Sequence, residues 1–138
     1  MSIVGISRSF RCSAFFVWVS HIGAAATSGS FSPRVLLEET LVVWMGEFGR
    51  TPTINKSGGR DHWGAVFSAA LAGGGVKGGA VHGRSDRQAA FPLDGRVEPP
   101  DLIATIHHCL GFPPNTEVHD RFGRPLVITK GRPIEAIL

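Results

Sequence analysis

The run Thr40-Leu41-Val42-Val43-Trp44-Met45 is β-branched or apolar at every position. Six residues rich in β-branched side chains are long enough for a strand and too short for a helix, and the lack of alternation predicts burial on both faces. The run stops at Gly46-Glu47. Before it, Val35, Leu36 and Leu37 followed by Glu38-Glu39 read as the last turn of a helix feeding the strand through a tight connection, half of an α/β unit. A second apolar run, Val66 to Ala72, ends in Gly73-Gly74-Gly75, where three glycines predict a sharp turn or a close backbone approach. Ala80-Val81-His82 reads as a short strand and Pro125 to Thr129 as another.

The clearest helix opens at Pro99-Pro100-Asp101, with Asp101 in the first turn and Leu102, Ile103, Ile106, Cys109 and Leu110 on one apolar stripe. Gly111 and then Pro113-Pro114 end it. Ile54 to Gly59 and Gly73 to Gly79 are loop and turn, and Arg84 to Pro99, without periodicity, is expected to be irregular.

Composition changes this picture in four ways. At 138 residues with 43% hydrophobic, the chain suits one domain with one modest core. The net charge of +3 comes from scattered cations that form no basic helix and no run interleaved with aromatics, so no nucleic-acid partner is expected. Cys12 and Cys109 lie far apart with no CxxC spacing, which argues against a zinc knuckle or a disulfide scaffold. Eighteen glycines and nine prolines, concentrated between Gly46 and Pro114, predict a loop-rich middle.

Residues 1–33 differ from the rest. Arg8 and Arg11, then Ala14 to Val19, then the small residues after Gly23 imitate a secretory signal, but the apolar stretch is short for a signal and cannot span a bilayer. Three readings fit: an export signal, a buried strand, or sequence unrelated to the fold that follows. The unorganised Ser, Gly and Ala content of Ser20 to Ser32 favours the last.

The candidate chemistry rests on few groups. Glu47 sits at the carboxyl end of the predicted strand, where open α/β sheets place ligands, and Asp61-His62 lies in a loop. Carboxylate oxygen and imidazole nitrogen suit divalent cations of the zinc or calcium/magnesium class, but these residues alone do not close a coordination shell. On spacing alone Asp61-His62 reads as a loop hydrogen-bond pair before it reads as a ligand pair. His107 and His108 read as partly exposed helix positions, and His82 and His119 have no partner spacing. No Gly-x-Ser-x-Gly elbow and no useful Cys/His pair occurs, which counts against a self-contained hydrolase.

Taken together, ETLVVWMGEFGRTP at Glu39 to Pro52, GGRDHW at Gly58 to Trp63, LAGGGVKGG at Leu71 to Gly79 and PPDLIATIHHCLG at Pro99 to Gly111 resemble the C-terminal portion of a bacterial family. This is the domain-of-unknown-function 1501 family, whose members are often labelled sulfatases and resemble the alkaline phosphatase and sulfatase superfamily. The likeness covers residues 34–138. It implies part of a sulfatase-like α/β sheet flanked by helices, an incomplete domain, whose full form binds two divalent metals and cleaves sulfate or phosphate esters. Glu47 would take the family's acidic ligand place, His62 with Asp61 beside it a later ligand place, and Arg50 or Arg60 would lie near the anion. Phe48 stands where the family often has a histidine, and phenylalanine cannot ligate. The nucleophile segment has no counterpart, so the expectation is a fragment inactive alone. The alternative is a non-catalytic module or remnant whose bare strand edges seek a partner chain to complete the sheet.

Overall fold

A computed structural model of the chain describes residues 2–4, 17–21 and 37–138. Its elements in order are β1 (Ser2–Val4), β2 (Val17–His21), β3 (Thr40–Met45), β4 (Gly49–Arg50), β5 (His62–Trp63), β6 (Ser68–Ala72), β7 (Val81–His82), β8 (Arg84–Ser85) and β9 (Pro92–Asp94). The helix α1 (Pro99–Cys109), β10 (Glu117–His119), β11 (Pro125–Val127) and a 3₁₀ turn at Glu135–Ile137 complete the chain. Five strands form one mixed sheet in the order β2-β3-β6-β1-β7, in which only β6 and β1 run parallel. The remaining strands make three separate two-stranded antiparallel ribbons. The fold is mixed α/β with no closed sheet. Two stretches of residues 1–33 thus pair into the sheet, while the Arg8/Arg11 region and the Gly23 to Ser32 stretch lie outside the described residues.

The predicted strand at Thr40 to Met45 forms, but its burial is one-sided. Antiparallel pairing sets Val43 opposite Leu71 and Met45 opposite Ala69. Since successive side chains alternate between faces, Leu41, Val43, Met45, Ala69 and Leu71 share one side. On that side Leu41, Val43, Ala69 and Leu71 join Val97, Leu102, Ile106, Ile134 and Ile137 in the core, with Met45 packed against it. Val42 and Trp44, on the other side, are half-buried. An unbroken apolar run concealed an alternation of environment.

Among the described residues α1 is the only α-helix longer than a turn, so the expected sheet flanked by helices is corrected to a sheet covered by one. Of the residues proposed for a preceding helix, Leu37 and Glu38 are helical, and residues 34–36 lie outside the described part. Prolines at the first helical positions carry no amide proton to leave unpaired there. The Asp101 carboxylate accepts the Glu98 N–H at 3.0 Å and, through its other oxygen, the Arg132 N–H at 3.0 Å. Ile103, assigned to the apolar stripe, is 40% exposed, whereas Thr105 is fully buried. The buried stripe is therefore Leu102, Thr105 and Ile106, with Cys109 beside them.

A polar residue sits in that stripe because it ties the tail down. The Thr105 hydroxyl donates to the Asp101 carbonyl at 2.7 Å and accepts the Ile134 N–H at 3.0 Å. The Lys77 N–H then donates to the Ile137 carbonyl at 2.9 Å, which holds the tail to the glycine turn. That turn follows the expectation. Gly73 has φ +76°, and a Cβ there would collide with the carbonyl oxygens of Leu37 and Thr40.

Arg84 to Pro99, expected to be irregular, contains the β8–β9 hairpin. Its turn is built on one carboxylate: Asp86 accepts the N–H groups of Gln88 (3.1 Å), Ala90 (2.8 Å) and Phe91 (3.2 Å). The predicted terminal strand is shorter than expected and pairs only with β10, forming a ribbon whose six residues are all exposed. No described helix is long and apolar enough to cross a membrane.

Replacing Thr105 by Val should destabilise the protein by about 1–3 kcal/mol, because the buried Ile134 N–H loses its acceptor. Ile103→Ala should stay within roughly 0.5 kcal/mol of wild type. Urea unfolding of both variants checks the reversal of roles between these neighbours. A second expectation concerns Asp120, whose carboxyl is held below the usual carboxylate range by the Arg124 amide, the Arg124 guanidinium and the Phe122 amide. A carboxyl with a lowered pKa stabilises the fold above its unfolded value and loses that contribution as pH falls through the lowered one. The protection of the Phe122 and Arg124 amides, measured as exchange relative to the unstructured rate at the same pH, should therefore persist through the ordinary carboxylate range and fall only at more acidic pH.

Candidate functional site

At the carboxyl end of β3 the chain bends at Gly46-Glu47 and returns as the β4–β5 ribbon. Gly49 pairs with Trp63 and Arg50 with His62. Directly opposed residues in an antiparallel pair project from the same face with Cβ atoms about 5 Å apart. Phe48, two residues before Arg50, shares that face. Its ring stacks on the His62 imidazole with centroids 3.7 Å apart and planes 23° off parallel. The Arg50 guanidinium carbon lies 5.4 Å from the Phe48 ring centre. The ribbon thus presents an arginine, a phenylalanine and a histidine together.

The opposite face docks the ribbon to the body. Trp63 donates its indole N–H to the Ala90 carbonyl at 2.6 Å and meets Phe91 edge to face at 5.6 Å. Gly49 is required by close approach, since a Cβ there would run into the Val66 carbonyl.

The long loop of the ribbon is ordered by side chains. The Asn55 amide oxygen accepts the N–H groups of Ser57 at 3.0 Å and Gly59 at 2.9 Å, and its amide nitrogen donates to Asp61 Oδ1 at 2.8 Å. Thr51 and Asp61 exchange bonds across the loop: the Thr51 N–H donates to the Asp61 carbonyl, and the Asp61 N–H to the Thr51 hydroxyl. Arg60 directs one terminal nitrogen at the carbonyls of Thr51 and Pro52. Arg50 donates to the Arg60 carbonyl at 3.3 Å.

Of the five candidate residues, the ribbon gathers Arg50, Arg60, Asp61 and His62, and Glu47 lies one residue before Phe48 at the end of β3. Arg60 and Asp61 act first as loop struts. Glu47 and His62 are exposed, and no described residue hydrogen-bonds or ion-pairs with the side chain of either. No group of three or more His, Cys, Asp or Glu side chains that could hold a metal occurs among the described residues. The donors fit a divalent cation in kind but do not close a shell in number.

Three contributors escaped the sequence reading. Phe48, which cannot ligate, is the platform on which His62 rests. Asn55 and Asp86 cap their turns by accepting backbone N–H groups a few residues on, as short Asn and Asp side chains do in loops. Elsewhere, His107 and His108 lie at the C-terminal end of α1, half-buried and exposed as expected. Cys109 is a free thiol whose pKa burial raises.

Comparison with known proteins returns one family model, described as a protein of unknown function (DUF1501), which matches residues 23–138. The match begins ahead of Arg34, where the likeness in the sequence motifs starts. No curated protein and no solved structure matches.

Substituting Asn55 by Ala removes both the acceptor for two amides and the donor to Asp61. Limited proteolysis should then cut between Thr53 and Arg60 at least tenfold faster, while the melting temperature changes little because the loop is exposed.

Proposed function

The chain belongs to the DUF1501 family, and on that premise we propose that it is the C-terminal part of a metal-dependent hydrolase of sulfate or phosphate esters. In this reading the chain contributes part of a site and is inactive alone. The carrying observation is that the Glu47 carboxylate and the His62 imidazole, neither of which hydrogen-bonds or ion-pairs with a described residue, lie on adjoining segments at the carboxyl end of β3. Arg50 lies directly across the ribbon from His62.

A divalent ion of the zinc or calcium/magnesium class supplies a Lewis acid that polarises an ester oxygen and lowers the pKa of water. Glu47 and His62 would hold it, while Asp61 stays with the loop and forms no group of three with them. The Phe48 stack limits rotation of the imidazole, so that donor is ordered before a ligand arrives. Arg50 offers planar N–H donors suited to two oxygens of a sulfate or phosphate group. The remaining ligands and the nucleophile would come from outside the described residues, and no step of hydrolysis is assigned to this chain by itself.

The other reading, a module that pairs with a partner chain, draws on the exposed apolar side chains of the ribbons, among them Phe91, Leu93 and Leu126. The two are separated by elemental analysis of the purified protein across a size-exclusion peak. Stoichiometric zinc, lost or weakened at least tenfold in Glu47→Ala/His62→Ala with an unchanged melting temperature, supports the metal reading. Equal metal content in wild type and the double variant defeats it.

A further inference from the structure

The β10–β11 ribbon has no role in the site described above, and its construction is unusual. A two-stranded ribbon is marginal in water unless something covers or pins it. Here every strand residue is exposed. Val118 and Leu126, which oppose one another across the ladder, are 50% and 53% exposed, and Phe122 at the tip is 68% exposed.

The tip is nonetheless tightly organised. Asp120 accepts the N–H of Phe122 at 2.8 Å and of Arg124 at 3.0 Å, and pairs with the Arg124 guanidinium at 2.7 Å. The Asp120 N–H donates to the Arg124 carbonyl and the Gly123 N–H to the Asp120 carbonyl, which closes the turn. The guanidinium carbons of Arg121 and Arg124 stand 4.6 Å and 5.5 Å from the Phe122 ring centre. One carboxylate thus holds a solvent-facing aromatic ring between two cations.

We propose that this tip is a docking element for the surface of an anionic lipid bilayer, with Phe122 entering the acyl boundary and Arg121 and Arg124 meeting lipid phosphates. Charge complementarity selects that occupant. Between Phe112 and Arg132 the chain carries Arg121, Arg124, Lys130 and Arg132 against Glu117 and Asp120, and Asp120 faces inward to the turn; the whole chain is also net positive. An aromatic ring flanked by guanidiniums suits the headgroup boundary, where an apolar body is buried while the charged ends stay hydrated. Anionic lipid attracts such cations, and each is worth about a fivefold gain in partitioning near the surface. Because the turn is fixed beforehand, docking orders little new structure. This inference is independent of the metal-site reading.

The test is co-sedimentation of the whole chain with vesicles of phosphatidylcholine alone and of phosphatidylcholine and phosphatidylglycerol in equal parts. The expected result is binding to the mixed vesicles only, weakened about tenfold by Phe122→Ala and about fivefold by Arg121→Ala, and suppressed by salt. Ile54→Ala, another exposed apolar residue, should bind as wild type does. Both tip side chains are exposed, so melting temperatures should not move. Phe122→Trp should shift its emission to the blue with mixed vesicles. Absence of vesicle binding overturns the proposal, as does equal binding by Phe122→Ala. Conversion of a wild-type dimer to a monomer by Phe122→Ala, without vesicle binding, would assign the tip to a second copy of the chain and equally overturn it.

Discussion

The hydroxyl of Thr105 is fully buried and makes two bonds at once, giving its proton to the carbonyl four residues back and taking the Ile134 N–H from the tail. A buried hydroxyl without partners would cost more than a methyl group in its place, so its presence in the core is tolerable only because both bonds are made. The arrangement allows Ile134 and Ile137 to lie beside Leu102 and Ile106 over the Leu41 and Leu71 side of the sheet. With a single α-helix longer than a turn among the described residues, the tail supplies the rest of the cover. Asp101 acts alongside by accepting both the Glu98 amide that opens the helix and the Arg132 amide that opens the tail.

The legible parts of this fold were those where local pattern and tertiary role agree. β3, β6 and α1 announce themselves because length, apolar content and proline or glycine punctuation are properties of a short window of chain. The error at Ile103 and Thr105 has the same origin: hydropathy ranks isoleucine inside and threonine outside, and only the tail, some thirty residues on, reverses them. The one-sidedness of β3 was hidden because an apolar run carries no record of which face a helix will cover. β8 and β9 were too short to show a period and depend on Asp86 gathering three amides. In the candidate site, the residue types were readable but their register was not. That Arg50 falls opposite His62, and Phe48 beneath it, follows from a loop closed by Asn55, Thr51 and Asp61.

The loops share one device. Asn55, Asp86 and Asp120 each collect two or more amide protons on one side-chain oxygen or carboxylate, and the turns at Asp86 and Asp120 also present an aromatic residue, Phe91 and Phe122. Rigid turns of this kind hold side chains in solvent without a core beneath them, which a chain with a modest core and eighteen glycines needs if its loops are to carry specific chemistry. The β4–β5 ribbon adds a second anchor through Trp63 and the Ala90 carbonyl, so two ordered turns brace one another.

The position of Ile134 and Ile137 in the core bears on how the chain is made. Synthesis proceeds from the amino end, and these two residues emerge after every strand and the helix that they cover. Until then Leu41, Val43, Leu71 and Leu102 have no complete cover. Completion of the core therefore waits on the last of its own residues, and until Ile134 and Ile137 are in place the apolar side of the sheet is open to chaperones and proteases.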